Sequence, residues 1–259
     1  MFFQGTIWRK ASQQIIKVLN TLPEIKDSRI VLAFSGGQDS VFLLAALAQM
    51  KKKYRFEILP LHIEHNFLPE DKSYSRLARK FSKALGFECS FARSRPAPPK
   101  VNLENWMRDE RYKALEKFRR QKHADYVAVA HHASDQAETV LAHIIRGAGL
   151  KGLQGMQPVR GKIIRPMLNC SKKDIKSLMR SSKLPYYEDK LNYSKKYQRN
   201  NIRHELIPYL EKEFNPKIVE RLVKLAENAR QASGFRLQAS DSKYRLSDVR
   251  FKRSKATKK

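Results

Sequence analysis

The sequence predicts an α/β protein: a parallel five-stranded sheet with helices on both faces, followed by a small helical C-terminal extension. Three observations carry this expectation. Apolar, β-rich runs alternate with helix-patterned stretches through the first half of the chain. The runs are nearly unbroken in apolar character, as strands buried on both faces must be. From about Ile202 onward the pattern is helical only.

In order, Arg29 to Phe34 reads as the first strand and Ser40 to Met50 as the helix after it. Phe56 to Ile63 is the second strand, followed by an amphipathic helix from about Asp71 to Leu85. Cys89 to Ala92 is a short third strand, and a loop with Pro96, Pro98 and Pro99 leads to a helix from about Leu103 to Arg120. Tyr126 to Ala130 is the fourth strand, with a helix from about Asp135 to Ile145, and Lys162 to Arg165 adds a fifth strand. Ile202 to Leu210 and Lys217 to about Gln231 have helical spacing, punctuated by Asn215-Pro216. These patterns divide the chain into a domain over 1–215 and a helical segment with a basic tail over 216–259, the stretch from Arg236 reading as disordered or RNA-grazing.

The formal net charge of +28 favours a polyanionic partner, because each phosphate neutralised releases condensed counterions. A solvated, lysine-rich surface would give the same number. Cys89 and Cys170 are the only cysteines and form no C-x-x-C, so neither a thiolate metal site nor a disulfide framework is indicated. No apolar run approaches the ~20 residues of a membrane span, and the N-terminus lacks the signature of a secretory signal. The expectation is a soluble, cytoplasmic protein with no membrane partner.

In parallel sheets ligands bind beyond the carboxyl ends of the strands. The loop after the first strand is Ser35-Gly36-Gly37-Gln38-Asp39-Ser40. Two glycines let backbone N–H groups approach a ligand closely, two serines add hydroxyls, and the following helix points its positive end at the turn. The result is a cradle for phosphate or pyrophosphate. It is neither G-x-x-x-x-G-K-[ST] nor G-x-G-x-x-G, and no lysine follows it. Asp39 would either cap the helix or bind Mg²⁺ that bridges to the phosphates.

After the fourth strand comes Ala130-His131-His132-Ala133-Ser134-Asp135-Gln136-Ala137-Glu138-Thr139. Asp135 and Glu138 share a helix face, and His132 reaches the same space, which suits Mg²⁺ binding and proton transfer. An acidic first turn complementing the helix dipole is the alternative. Arg146, Gly147 and Gly149 open a glycine-rich loop suited to phosphate or substrate, or merely to connection. Asp189, Asn192, Arg199, Asn200 and Arg203 gather at a later helix start, where the arginines would pair bidentately with phosphates of ATP or RNA, or else form a capped, salt-bridged helix start.

The phosphate loop resembles that of the PP-loop ATP pyrophosphatases, which cleave ATP between its α and β phosphates. Further segments are similar to the tRNA(Ile)-lysidine synthetase family within that group. They are His62-x-x-His65, Glu104-x-x-x-Arg108-x-x-Arg111-Tyr112, the His131–Thr139 run, Arg146-Gly147-x-Gly149 and Arg165-Pro166-x-Leu168. Asp189-x-x-Asn192 and Arg199-Asn200-x-Ile202-Arg203 complete the set, which covers roughly residues 28–215. Ser134 stands where the family commonly has another aspartate, and Glu64, Asn66, Phe67 and Leu68 depart from its H-x-N-H-G-L-R pattern. The resemblance is to a short form, with the C-terminal RNA-binding region of longer members absent or reduced to the basic end.

The resemblance implies an adenine nucleotide alpha hydrolase-like fold, ATP on residues 35–40, and Mg²⁺ at Asp39, Asp135 and Glu138. It implies that Arg108, Arg111 and Arg203 stabilise phosphate charge and that His132 or a carboxylate moves protons. The substrates would be tRNA(Ile) with a CAU anticodon and free L-lysine, joined through an adenylated cytidine so that the codon read changes from AUG to AUA. A homodimer is compatible with this and carries no signal in the sequence. Two rival readings fit the sequence less well. A tRNA thiolase wants sulfur-handling cysteines, and an inert RNA-binding fold has no use for clustered carboxylates.

Overall fold

The computed structural model describes residues 2–64, 71–99, 101, 103–187 and 198–239. His65, Asn66, Phe67, Leu68, Asp189, Asn192, the side chain of Glu104 and the basic tail from 240 to 259 lie outside the described residues.

The chain opens with α1 (Gly5–Leu19), whose Trp8, Ala11, Ile15, Val18 and Leu19 form one buried stripe at helical spacing. It then alternates strand and helix: β1 (Arg29–Ala33), α2 (Gln38–Tyr54), β2 (Glu57–Glu64), α3 (Asp71–Ala84), β3 (Ser90–Arg93), α4 (Leu103–Gln121), β4 (Tyr126–Ala128) and α5 (Ala133–Ile145). A one-turn α6 (Leu150–Leu153), a hairpin of β5 (Val159–Arg160) and β6 (Ile163–Ile164), and α7 (Lys172–Ser182) follow. The last described part is α8 (Gln198–Asn201), a π-helical turn over Ile202–Leu206, α9 (Ile207–Glu213) and α10 (Ile218–Ala239).

The sheet order is β3-β2-β1-β4-β6-β5. The expected five strands are all present and mutually parallel, and β5 adds a short antiparallel edge by pairing Val159 with Ile164. Two-residue strands such as β5 are too short to show alternation, which is why the sequence gives no sign of it. Helices α1, α6 and α7 likewise lie outside the elements expected from the sequence. The boundary between α8 and α10 contains more helix than expected, because the helix carried from Gln198 bulges through a π turn before Pro208.

Burial explains the layers. Ile30 and Leu32 of β1 face a core shared with α1, α2, α3 and α7, whereas Val31 faces Leu115 and Phe118 of α4. Helix α2 buries every residue from Ser40 to Leu47, being covered by the sheet on one side and by helices on the other. Each of its leucines contributes about 1.5–3 kcal/mol by leaving water. A third core joins Ala137, Val140 and Leu141 of α5 to Leu222 and Ala226 of α10. Thus α10 clamps the helix that carries Asp135 and Glu138.

The topology locates the site. From β1 the chain first adds β2 and β3 on one side, then crosses to place β4 on the other. The order therefore reverses between β1 and β4, and a crevice opens beyond their carboxyl ends. Ser35 to Ser40 leave β1 there, and His131 and His132 leave β4.

Candidate active site

The loop after β1 is built by its own serines. The Ser40 hydroxyl accepts from the Gly36 N–H at 3.0 Å and donates to the Gly37 carbonyl at 2.9 Å; Ser35 Oγ accepts from the Gly37 N–H at 3.2 Å. Gly36 has φ +88°, a left-handed conformation that glycine adopts without strain. Gly37 caps α2 without a side-chain hydrogen bond, so the first-turn N–H groups of Gln38, Asp39 and Ser40 have no intrahelical partner and point outward. That is an anion cradle in geometry as well as in pattern.

A second tyrosine-lined segment closes over it. Tyr187 donates its hydroxyl to the Ser35 carbonyl at 2.6 Å and its backbone N–H to the Gly36 carbonyl at 3.2 Å. Its ring stacks on Tyr74 of α3 at 4.6 Å between centroids. A Cβ placed on Gly36 would lie 2.8 Å from that ring, so the glycine is required by close approach as well as by φ.

Asp39 lies in the first turn of α2, but it does not merely cap it. Its two oxygens are held by Lys172 of α7 at 2.5 Å and by His132 Nε2 at 3.6 Å. Burial alone would raise the Asp39 pKa; His132 and Lys172 outweigh it and hold the carboxyl below its ordinary range. The phosphate loop has no lysine of its own, and the fold brings one from 133 residues away.

His132 is the N-cap of α5. Its backbone N–H donates to Asp135 Oδ2 at 2.9 Å, and its ring Nδ1 lies 3.6 Å from the same oxygen. The ring is buried between two carboxylates. Burial pushes its pKa down, yet Asp135 and Asp39 together raise it above the ordinary value, favouring an imidazolium. Its neighbour His131 behaves oppositely: burial pushes it down to about 3, with Arg165, Arg199 and Arg108 adding repulsion against the attraction of Asp135.

Asp135 and Glu138 do share one face, and two arginines occupy it. Arg203 donates from Nε to Glu138 Oε1 at 2.5 Å and from Nη2 to Asp135 Oδ1 at 2.9 Å. Arg199 donates from Nε to Glu138 Oε2 at 2.8 Å and approaches Asp135 at 3.4 Å. Glu138 has 0% side-chain exposure, so these bonds compensate a buried charge. Burial would raise the Asp135 pKa, but His132, His131 and both arginines drive it well below the carboxylate range. The site thus pairs three carboxylates with Lys172, Arg199 and Arg203, and His132 stands at its centre.

The donor set can accept Mg²⁺ only in part. That ion takes one or two carboxylates, with phosphate oxygens and waters completing the octahedron. Asp39 and Asp135 face each other across His132 and fit that role; both Glu138 oxygens are engaged by guanidinium, so Glu138 acts as an anchor for the arginines. Among the described residues no set of three His, Cys, Asp or Glu is grouped for metal binding by protein atoms alone.

The remaining expected residues are less tightly gathered. Arg108 of α4 lies over the Tyr112 ring at 5.4 Å and acts electrostatically on His131 and Arg165. Arg111 is exposed on the same helix, and Asn200 is partly buried beside Arg199 in α8. Arg146 ends α5, with Gly147 (φ +72°) and Gly149 in the exposed turn that follows.

Four contributors were missed in the sequence. Lys172 and Tyr187 come from distant segments with no motif. Gln136 donates from Nε2 to the carbonyls of Gln154 and Met156 and accepts from the Met156 N–H at 2.8 Å, which shapes the glycine-rich loop. Arg230 of α10 donates to the Gln154 carbonyl at 2.7 Å. Only Ser171, a helix cap followed by an amphipathic run through Leu178, signals α7 in the sequence.

The PP-loop domain family profile matches residues 9–210. The chain is 35% identical over 227 residues to a tRNA(Ile)-lysidine synthase of Thermosipho africanus, covering 86% of this chain and 52% of that protein. It is also 35% identical over 242 residues to the tRNA(Ile)-lysidine synthase of Clostridium acetobutylicum, covering 88% and 52%. The chain therefore spans about half the length of these curated relatives. Among solved structures, the U34-tRNA thiolase NcsA from Methanococcus maripaludis, with its 4Fe-4S cluster, superposes with a TM-score of 0.73 over 87% of this chain and 79% of that one. At 18% identity that likeness establishes the fold alone. From the phosphate loop to the arginine-bound carboxylates, this chain belongs to the PP-loop domain family.

Proposed function

We propose that this chain is an ATP-dependent tRNA-modifying ligase that joins lysine to C2 of the wobble cytidine of a tRNA(Ile) with a CAU anticodon. The observation that carries the proposal is the juxtaposition of the uncapped Ser35–Ser40 loop with the Asp39–His132–Asp135 line, held by Lys172, Arg199 and Arg203. The names of its curated relatives supply the substrate class.

In the proposed reaction the cytidine O2 attacks the α-phosphorus of ATP and pyrophosphate leaves. The amine of free lysine then attacks C2, loses a proton, and expels AMP. The N–H groups of residues 38–40 receive phosphate oxygens, and Lys172, Arg199 and Arg203 supply positive charge to the group that leaves. Bound Mg²⁺ would neutralise pyrophosphate charge from Asp39 and Asp135. His132, whose ring lies 3.6 Å from both Asp39 and Asp135, or one of these carboxylates takes up the proton of the lysine amine. The target cytidine must leave its stack to reach this crevice. The net charge of +28 suits a tRNA backbone in the cytoplasm.

The thiolase reading is disfavoured by the thiols themselves. Burial pushes Cys89 up to about 11 and Cys170 up to about 12, and both are buried, unpaired thiols. The test is pyrophosphate release from ATP with purified protein and tRNA(Ile). Release should require tRNA, and AMP release should require lysine in addition. Complete turnover to AMP without lysine would overturn the proposal.

A further inference from the structure

A second basic feature adjoins the site without belonging to it. Helix α7 buries Ile175, Leu178 and Met179 and turns Lys173, Lys176, Ser177 and Arg180 outward. These outward residues recur at intervals of three, one and three positions, so they form one stripe. With Lys172 they line a cavity of about 470 Å³. Lys172 is also the residue bonded to Asp39 in the phosphate loop, so the stripe runs directly into the crevice.

Charge balance marks the stripe as a binding surface. The one acid in the first turn, Asp174, is already paired with Lys10 at 3.0 Å. Among the described residues, no carboxylate is paired with Lys173, Lys176 or Arg180, although many other cations of the chain are paired. Three cations without a carboxylate partner along one face repel one another unless an anion is present. From residue 172 to 180 the stripe rises roughly 12 Å along the helix axis. That is too long for a single phosphate and suits consecutive phosphates of one strand.

We propose that Lys173, Lys176 and Arg180 form a phosphate track that holds the RNA backbone next to the target nucleotide and leads it toward Lys172 and the phosphate loop. The inference rests on the tRNA-ligase reading for the identity of the polyanion. Because these contacts touch phosphates and not bases, they position the RNA without reading its sequence.

The test uses the full chain carrying K173Q, K176Q and R180Q together, with labelled tRNA(Ile) followed by anisotropy across a KCl series. Each lost phosphate contact removes about 0.7–0.9 from the slope of log K against log salt. The triple variant should lose about 2–3 units of slope and bind tRNA at least about tenfold more weakly at 100 mM salt, by the same reasoning. A non-cognate tRNA should lose affinity equally, and binding of a non-hydrolysable ATP analogue should stay within about twofold, since of the α7 cations lining this cavity only Lys172, left unchanged, is bonded to the phosphate loop. Each single variant should remove just under one unit, which keeps the test open if the triple variant folds poorly. An unchanged slope overturns the track. So does a loss of ATP affinity matching the loss of tRNA affinity, because the cluster would then serve the nucleotide. Binding needs neither lysine nor turnover, so a wild-type protein that binds tRNA but ligates no lysine would defeat the ligase reading and leave the track intact.

Discussion

At the scale of single residues, Asp39 and Glu138 illustrate two uses of a carboxylate. Asp39 is partly exposed at the phosphate loop and contacted by Lys172 and His132, whereas Glu138 is sealed beneath Arg199 and Arg203. Asp39→Asn is therefore expected to cut pyrophosphate release by about 100-fold or more while leaving tRNA affinity within about twofold, as loss of a transition-state electrostatic contact would. Equal loss of tRNA binding would contradict this. Glu138→Ala leaves two guanidiniums without their buried partner and should cost about 3–5 kcal/mol in denaturant unfolding. The paired histidines give opposite pH signatures. His132 has a raised folded pKa, so its contribution is full below the ordinary 6.5 and is lost as pH rises through the folded value. His131 is depressed to about 3, so its contribution is full above 6.5 and lost as pH falls. In pH-dependent unfolding, His131→Asn should remove part of the loss of stability on the acid side, and His132→Asn part of the loss on the alkaline side. The carboxylates and His132 were legible in the sequence because their spacing after β4 is local. Lys172 was not, because an ion pair across 133 residues leaves no periodic trace.

At the scale of elements, the loop, α5 and α7 depend on how their ends are made. Gly36 combines φ +88° with a ring 2.8 Å from where a Cβ would stand. Gly36→Ala should destabilise the chain by about 1–2 kcal/mol for its backbone conformation alone, and should weaken ATP binding by displacing Tyr187. Gly37→Ala, at φ −74° with its nearest contact at 3.4 Å, should cost much less stability. Comparable unfolding midpoints for the two variants would contradict this account of the turn. The strands β1 to β4 and helices α2 to α5 were visible in sequence because long apolar runs and amphipathic periods are local signals. The hairpin strand β5 and the one-turn α6 are too short for any period. The tyrosine pair was invisible for another reason: stacking between Tyr74 and Tyr187 is decided by how α3 and the segment before α8 meet.

At the scale of the whole molecule, sheet topology and net charge act together. The order reversal between β1 and β4 opens one crevice, and the described basic stripe on α7 ends in it. The tail from 240 to 259 carries eight Lys and Arg against two aspartates. Its removal should weaken tRNA binding and flatten the salt dependence further, additively with the α7 variants where the two contact separate phosphates. A deletion that leaves the salt slope unchanged would confine RNA binding to residues 1–239. Fold class was readable at this scale because parallel α/β architecture is written in repeated local patterns. The site was readable only in half, since the topology decides which distant cations reach those loops.

The proposed reaction uses ATP bound on the Ser35–Ser40 loop to attach lysine to a tRNA cytidine. Incubation of the protein with ATP, Mg²⁺, tRNA(Ile) and isotope-labelled lysine, followed by mass analysis of the nucleoside digest, tests it most directly. The expected result is one cytidine per tRNA carrying the labelled lysine in place of its C2 oxygen, absent with Asp39→Asn. ATP cleaved to AMP and pyrophosphate with no lysine in the RNA, or a sulfur-containing nucleoside in its place, would contradict it.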